Sequence, residues 1–182
     1  MIMNQEHEAL RDVLELLRSR FYGKYRGVVA SNNPDPTLRG RIEVRIPAVL
    51  HDQIVWAMPC VPFAGKDVGF HMLPPEGAGV WVEFEAGDPS YPIWSGCYWS
   101  AGDITAVDDL ASVKFIRTDK LTLRIDDVKG ELVIETKTGS KFTISALEIE
   151  QRAVTLSAVS KIKDTKLTPA GFSVHHGATE VF

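Results

Sequence analysis

Cysteine is nearly absent from this chain. Cys60 and Cys97 are the only two in 182 residues, too few and too far apart for a zinc motif. Both lie in apolar, strand-like contexts, which favours buried free thiols over a disulfide. Long apolar runs are missing too. No stretch of about 18 apolar residues exists, so no transmembrane helix is expected. The start, MIMNQEHEAL, lacks the basic-then-apolar layout of a secretory signal, so a protein acting outside the cell would leave by another route. Basic charge is not in excess: 20 Lys and Arg against 24 Asp and Glu leave a net charge of −4. Neutralising phosphates needs a basic face, so a dedicated nucleic-acid binder is not expected. Gly-x-Ser-x-Gly, His-Glu-x-x-His and phosphate-loop motifs are all missing. Glu83 and Glu85 fall on the solvent side of a strand pattern, where a solvated face accounts for them better than acid–base work. A non-enzyme is expected.

What is present centres on residues 73–99, LPPEGAGVWVEFEAGDPSYPIWSGCYW. Pro74-Pro75-Glu76-Gly77 is a turn. Val80, Val82 and Phe84 then alternate with Trp81, Glu83 and Glu85, the period of a strand with one buried face. Gly87-Asp88-Pro89 interrupts, and Tyr91, Ile93, Trp94 and Tyr98 make a second apolar strand. Further strands are read at Tyr25–Ala30, in GRIEVRIP from Gly40 to Pro47, and at Ile54–Val61. Asn32 to Pro36 is a loop. About five strands in some 80 residues suit a small Greek-key barrel of the OB type, with a sandwich as the alternative.

Residues 4–21 are the one good helix, with Asn4 as a cap. Leu10, Val13, Leu14 and Leu17 give it an apolar face that Phe21 continues. A helix this short needs something to pack on, either its own barrel or a partner.

GRIEVRIP, WAMPCVPFAG and LPPEGAGVWVEFEAGDPSYPIWSGCYW, in that order, resemble the OB domain of phage baseplate spike proteins (baseplate assembly protein V) and of the VgrG-type spikes of type VI secretion and other contractile injection systems. The resemblance runs from Tyr22 to Trp99. It implies a virion tail or injection particle, assembled in the bacterial cytoplasm and acting outside the cell. It also implies a homotrimer docked through barrel and helix to a baseplate hub protein at the tail-tube end, making transient contact with a target membrane. Leu10, Leu14 and Leu17 are the candidate docking residues. A competing function for an OB barrel is to bind single-stranded nucleic acid or glycan through stacking aromatics such as Trp81, Tyr91, Trp94, Tyr98 and Trp99. The acidic neighbours Glu83, Glu85 and Asp88 oppose phosphate there.

Residues 100–112 read as a linker, too short to hold the lysozyme domain that some family spikes insert. Short alternating strands then recur about every ten residues: Val113–Arg117, Leu121–Ile125, Glu131–Thr136, Lys141–Ser145, Leu147–Glu150 and Val154–Ala158. Each carries too few large apolar residues to bury a core alone, and a lone stack would expose its edges. Three chains wound together would solve this; a second small monomeric β domain is the alternative. The resemblance implies the former. The expected class is therefore mainly β, with an N-terminal helix (1–21), an OB-type Greek-key barrel (22–99), a linker (100–112) and a C-terminal intertwined trimeric β-helix (113–182).

At the tip, period two aligns Phe172, Val174 and His176, with His175 pointing away. Three copies of His176 on a threefold axis could hold iron, zinc or nickel. Some family spikes hold iron through a His-x-His pair; here the histidines are adjacent, so each chain supplies one. Both histidines could equally be ordinary polar residues near a chain end. Val181 and Phe182 offer a rival apex, an apolar cap covered by a PAAR-like tip protein as in related systems.

Overall fold

The computed structural model describes residues 2–159, 164–168, 171–174 and 179–181. It divides into two units, 1–103 and 104–182.

The first unit opens with helix α1 (Ile2–Arg18). Strands β1 (Tyr25–Ser31) and β2 (Ile42–Arg45) follow, then a single turn of helix, α2 (Pro47–Leu50), and β3 (Ile54–Pro59). Two very short strands, β4 (Ala64–Gly65) and β5 (Val68–Gly69), pair as a small arm. The hairpin of β6 (Gly79–Phe84) and β7 (Pro92–Tyr98), joined through a 3₁₀ turn at Glu85–Gly87, completes the set. The sheet closes in the order β1-β2-β3-β7-β6. Every contact is antiparallel except β3 to β7. One parallel contact in a five-stranded closed sheet is the crossover of a Greek-key OB barrel.

Alternation explains the closure. In β6 the residues Val80, Val82 and Phe84 are buried while Gly79, Trp81 and Glu83 are half-exposed. Val29, Ile42, Val44, Ile46, Ala57 and Trp94 meet them inside. Ile42, Val44, Val80 and Val82 have no exposed surface at all, and each such burial contributes about 1.5–3 kcal/mol.

The second unit is built from consecutive antiparallel strands. β8 (Val113–Arg117), β9 (Leu121–Asp126), β10 (Glu131–Thr136), β11 (Lys141–Ile144) and β12 (Ile149–Arg152) form one sheet in sequence order. β13 (Leu156–Val159), β14 (Asp164–Thr168), β15 (Gly171–Val174) and β16 (Thr179–Val181) form another.

Several expectations need correction. The helix starts before Asn4, which lies inside it instead of capping it, and stops at Arg18. Phe21 leaves the helical face because the barrel claims it: its ring packs on Tyr25 and Phe84. Cys60 and Cys97 are free but exposed. Cys60 stands just past the end of β3 and Cys97 next to the end of β7, where the barrel wall gives out. The strand expected at 147–150 starts at Ile149, because Ser145 captures the turn before it. Its backbone N–H donates to Glu148 O (2.9 Å), and its hydroxyl accepts from the N–H groups of Leu147 and Glu148. Such a side-chain turn competes with the ladder, and it leaves Leu147 almost fully exposed. The next strand begins at Leu156 where Val154 was expected.

The division at Asp103 makes two predictions. A chain ending at Asp103 should retain a cooperative thermal transition, and a featureless melt would show that the barrel depends on the rest. Within that fragment Ile42→Ala should cost about 2–5 kcal/mol by urea denaturation. A change near zero would contradict the observed core.

Candidate functional site

The loop between β1 and β2 is organised by one carboxylate. The Asp35 side chain is 2% exposed. It accepts hydrogen bonds from the backbone N–H of Thr37 (2.9 Å) and Arg39 (2.9 Å), from the Thr37 hydroxyl (2.8 Å), and from Arg41 Nη2 (2.8 Å) and Nε (3.1 Å). The Arg41 guanidinium beside it is the largest cause holding its carboxyl far below the usual carboxylate range, with the Thr37 and Arg39 donors adding to the effect. Arg41 also lies over the Trp56 ring at 5.1 Å, so the cation is fixed from two sides. Held this way, the loop carries Leu38 at φ 54° and 90% exposed. A left-handed backbone is uncommon for leucine, and the net of bonds to Asp35 sustains it.

Leu38 stands at the rim of a cavity of about 840 Å³ between this loop and the β4–β5 arm. Met58, Val68, Phe70, Met72 and Trp94 line it as well, and Val68, Phe70 and Met72 are exposed. Trp94 closes the barrel beneath, with its Nε1 buried and unpaired.

At another edge of the barrel the chain leaving α1 is pinned. Arg20 Nη1 pairs with Asp88 at 2.9 Å. The Phe21 N–H donates to Gly87 O at 2.8 Å. Gly87 has φ +75°, and a Cβ there would come within about 3.0 Å of the Tyr22 ring, so glycine is required both for the turn and for the close approach. The Asp88 carboxyl lies below its ordinary pKa, chiefly because it accepts the Ser90 backbone N–H, with Arg20 adding to this. The base of the helix is thus fixed, while Leu10, Val13, Leu14 and Leu17 are all exposed along it.

The aromatic residues suggested for stacking are divided by the fold. Trp94 is in the core. Trp81 and Tyr98 pack on each other at 5.2 Å between ring centroids, with the Arg26 guanidinium over both. Tyr91 and Trp99 are exposed. Among the described residues, no three His, Cys, Asp or Glu are grouped to hold a metal ion.

The five-stranded sheet has two unlike faces. Register aligns Ile125, Leu132, Ile144 and Ile149 in one row, and Ile116, Leu123, Ile134 and Phe142 in the next row on the same side. The other side carries Arg117, Arg124, Glu131, Glu135, Lys141, Glu150 and Arg152, and its buried positions include Val133 and Thr143. Exposure runs against expectation for a self-sufficient domain. On the apolar side Ile116 is 49% and Ile125 40% exposed, while Val133 on the charged side is 6%. A turn braces the charged side: Arg117 Nη1 bonds Asp108 at 2.8 Å, and Arg117 is the main cause of a lowered Asp108 pKa. No helix among the described residues is long and apolar enough to cross a membrane.

Of the expected tip residues, Val181 ends β16, where its backbone pairs with Phe172. His175, His176 and Phe182 lie outside the described residues. Sequence reasoning missed Asp35 altogether. The Asp35-x-Thr37 spacing of a side-chain turn was its one local signal.

The pKa of Asp35 fixes a pH dependence. A carboxylate held below its unfolded value of about 3.9 stabilises the fold fully above that value. That contribution is lost as pH falls from there toward the folded value. Asp35→Asn should therefore melt at a lower temperature than the parent barrel at pH 7, and the difference should shrink as pH is lowered below about 4. A difference that is unchanged between pH 7 and pH 2.5 would remove Asp35 from this role.

The family comparison agrees with the strand order. Residues 25–99 match the model described as the type VI secretion system/phage-baseplate injector OB domain. The match starts at the first residue of β1 and ends one residue past β7. No curated protein matches the chain. In its sequence and in the closed order of its five strands, the barrel at 25–99 is an OB domain of the phage-baseplate and type VI secretion injector family.

Proposed function

We propose that this chain is the central spike of a phage tail or related contractile injection system, working as a homotrimer whose C-terminal part is driven through the target envelope on contraction. The observation that carries this reading is the joining, in one chain, of an injector OB barrel to a β unit whose apolar side is open. A protein that does mechanical work at the front of a tube needs no catalytic group. It needs a base that holds position and a shaft that resists local opening.

The parts divide accordingly. The barrel sits at the base, on the tube-end hub. The exposed row Leu10, Leu14 and Leu17 projects from a pinned helix root and docks into the hub. The unit from 104 onward forms the shaft with two further copies. Its end, with Val181, Phe182 and His176, is the apex, closed either by a PAAR-like cap protein or by one metal ion shared among three His176 side chains. Contact with the target membrane is brief and comes from this apex. The shaft contributes toughness because its inner strands, β9 to β11 and β14 to β15, are bonded on both sides, so a local break there does not spread at low cost.

Light scattering on the purified full-length protein tests the reading. Three copies per particle, persisting through dilution to low micromolar concentration, are expected. The chain ending at Asp103 should be monomeric under the same conditions. A full-length protein that remains a monomer would reject the spike assignment. A trimeric 1–103 fragment would move the assembly determinant into the barrel.

A further inference from the structure

The outer wall of the barrel carries side chains that the core does not account for. Pairing runs one row across all five strands. Ile54 on β3 faces Arg45 on β2, and Arg45 faces Val28 on β1. Val28 faces Gly79 on β6, which faces Tyr98 on β7. In the next row Arg26 faces Trp81. Alternation turns these residues outward, since Val29, Val44, Val80 and Val82 point inside.

Part of this wall is fixed in place. A Cβ at Gly79 would come within 2.5 Å of the Tyr98 ring, so glycine alone lets that ring lie directly over β6. The Tyr98 hydroxyl reaches on across β6 and donates to Gly27 O at 3.4 Å. Its ring meets Trp81 at 5.2 Å between centroids. The Arg26 guanidinium lies 4.9 Å from the Tyr98 centroid and 5.4 Å from that of Trp81. The two rings hold the cation without neutralising it. A planar guanidinium held in this way loses little freedom when its N–H groups find an acceptor.

Charge on the wall is unbalanced. Arg26 and Arg45 are both exposed. Among the described residues, no carboxylate lies within ion-pair distance of either. Glu83 is engaged by Lys24. Val28, between the two cations, is 39% exposed, and Ile54, beyond Arg45, is 47% exposed. Two open cations beside open apolar groups, in a chain of net charge −4, complement a partner that brings carboxylates. Trp, Tyr and Arg are also the residues on which interface energy concentrates.

We propose that this wall is a docking site for an extended segment of another protein, one that carries two carboxylates two residues apart and an apolar residue close by. Spacing selects that occupant. Arg26 is the diagonal neighbour of Arg45, about 7–8 Å away between backbones. Same-face residues of an extended strand lie about 7 Å apart, so Glu-x-Glu sets one carboxylate at each guanidinium. An apolar side chain further along then rests on Ile54. Nucleic acid fits less well, because Arg26 already covers ring faces on which bases would stack, and Glu43 and Glu83 border the patch. The site is separate from the leucine row of α1 and does not depend on the number of copies in the particle.

Calorimetric titration of the full-length protein with the acetylated, amidated peptide Leu-Ser-Glu-Ser-Glu-Ser-Leu tests this. Saturable binding of one peptide per chain is expected. Affinity should fall at least tenfold when both glutamates become glutamine, when they are made adjacent and so face opposite ways, and when the protein carries Arg26→Gln or Arg45→Gln. Lys24→Gln should bind like the parent, because its ammonium is already taken by Glu83 and by Ser95 Oγ at 2.8 Å. Absence of saturable binding at millimolar peptide would overturn the proposal. Equal affinity for the glutamine or the adjacent-glutamate peptide would overturn it too. An oligothymidylate that binds more tightly than the peptide and displaces it would give the wall to nucleic acid instead. Light scattering on the same samples keeps the spike reading apart: monomers that bind the peptide would reject the spike and retain the site, and trimers that ignore it would do the reverse.

Discussion

A strand with one apolar side must set that side against something that excludes water. This chain meets the requirement in two ways. In residues 25–99 the sheet curls until β1 pairs with β6, and Val29, Ile42, Val44, Val80 and Val82 bury one another. Closure also removes the exposed edges that invite unwanted pairing. In residues 113–152 the strands pair in sequence order and the sheet stays open. Its apolar side finds no cover comparable to the barrel's, so Ile116 and Ile125 remain in water. The proposed function builds on that difference: the closed part serves as a self-contained fitting, and the open part is the one proposed to be completed by further copies.

The barrel spends its polar interactions on fixing its outgrowths. Asp35 gathers donors from Thr37, Arg39 and Arg41, and so shapes the loop that presents Leu38. Arg20, Phe21 and Tyr22 clamp the helix root against Asp88 and Gly87. A buried ion pair adds little net stability over a good apolar contact, but removing one partner is costly. Here the pair acts on geometry: it holds a leucine in a left-handed backbone where unrestrained chain would not remain. Both devices lie beside exposed apolar side chains, Leu38 on the loop and Leu10, Leu14 and Leu17 on α1.

Much of this was legible because alternation is a local signal. Val80, Val82 and Phe84 against Trp81 and Glu83 announce their faces without knowledge of the fold, and so do Leu132 and Ile134 or Phe142 and Ile144. What escaped depends on contacts distant in sequence or on competition between local options. Asp35 reads as an ordinary loop residue until the barrel brings Arg41 and Trp56 beside it. Phe21 fits the helical face by spacing, yet Tyr25 and Phe84 offer it a better site. Ser145 shows how one hydroxyl can delay a strand by two residues. Cys60 and Cys97 lie in apolar surroundings by sequence but at places where the barrel wall ends. The candidate docking row on α1 was visible as a pattern; its exposure was not, since the same spacing suits a helix lying on its own barrel.

The central claim is that one chain joins a self-sufficient barrel to sheets that are completed by other copies. Equilibrium unfolding followed separately in the two units tests it most directly, at protein concentrations a hundredfold apart. The account predicts two transitions. The barrel's midpoint should be independent of concentration, and that of residues 104–182 should rise with concentration, as mass action demands of an assembled state. A single transition at the same midpoint across that range would contradict it.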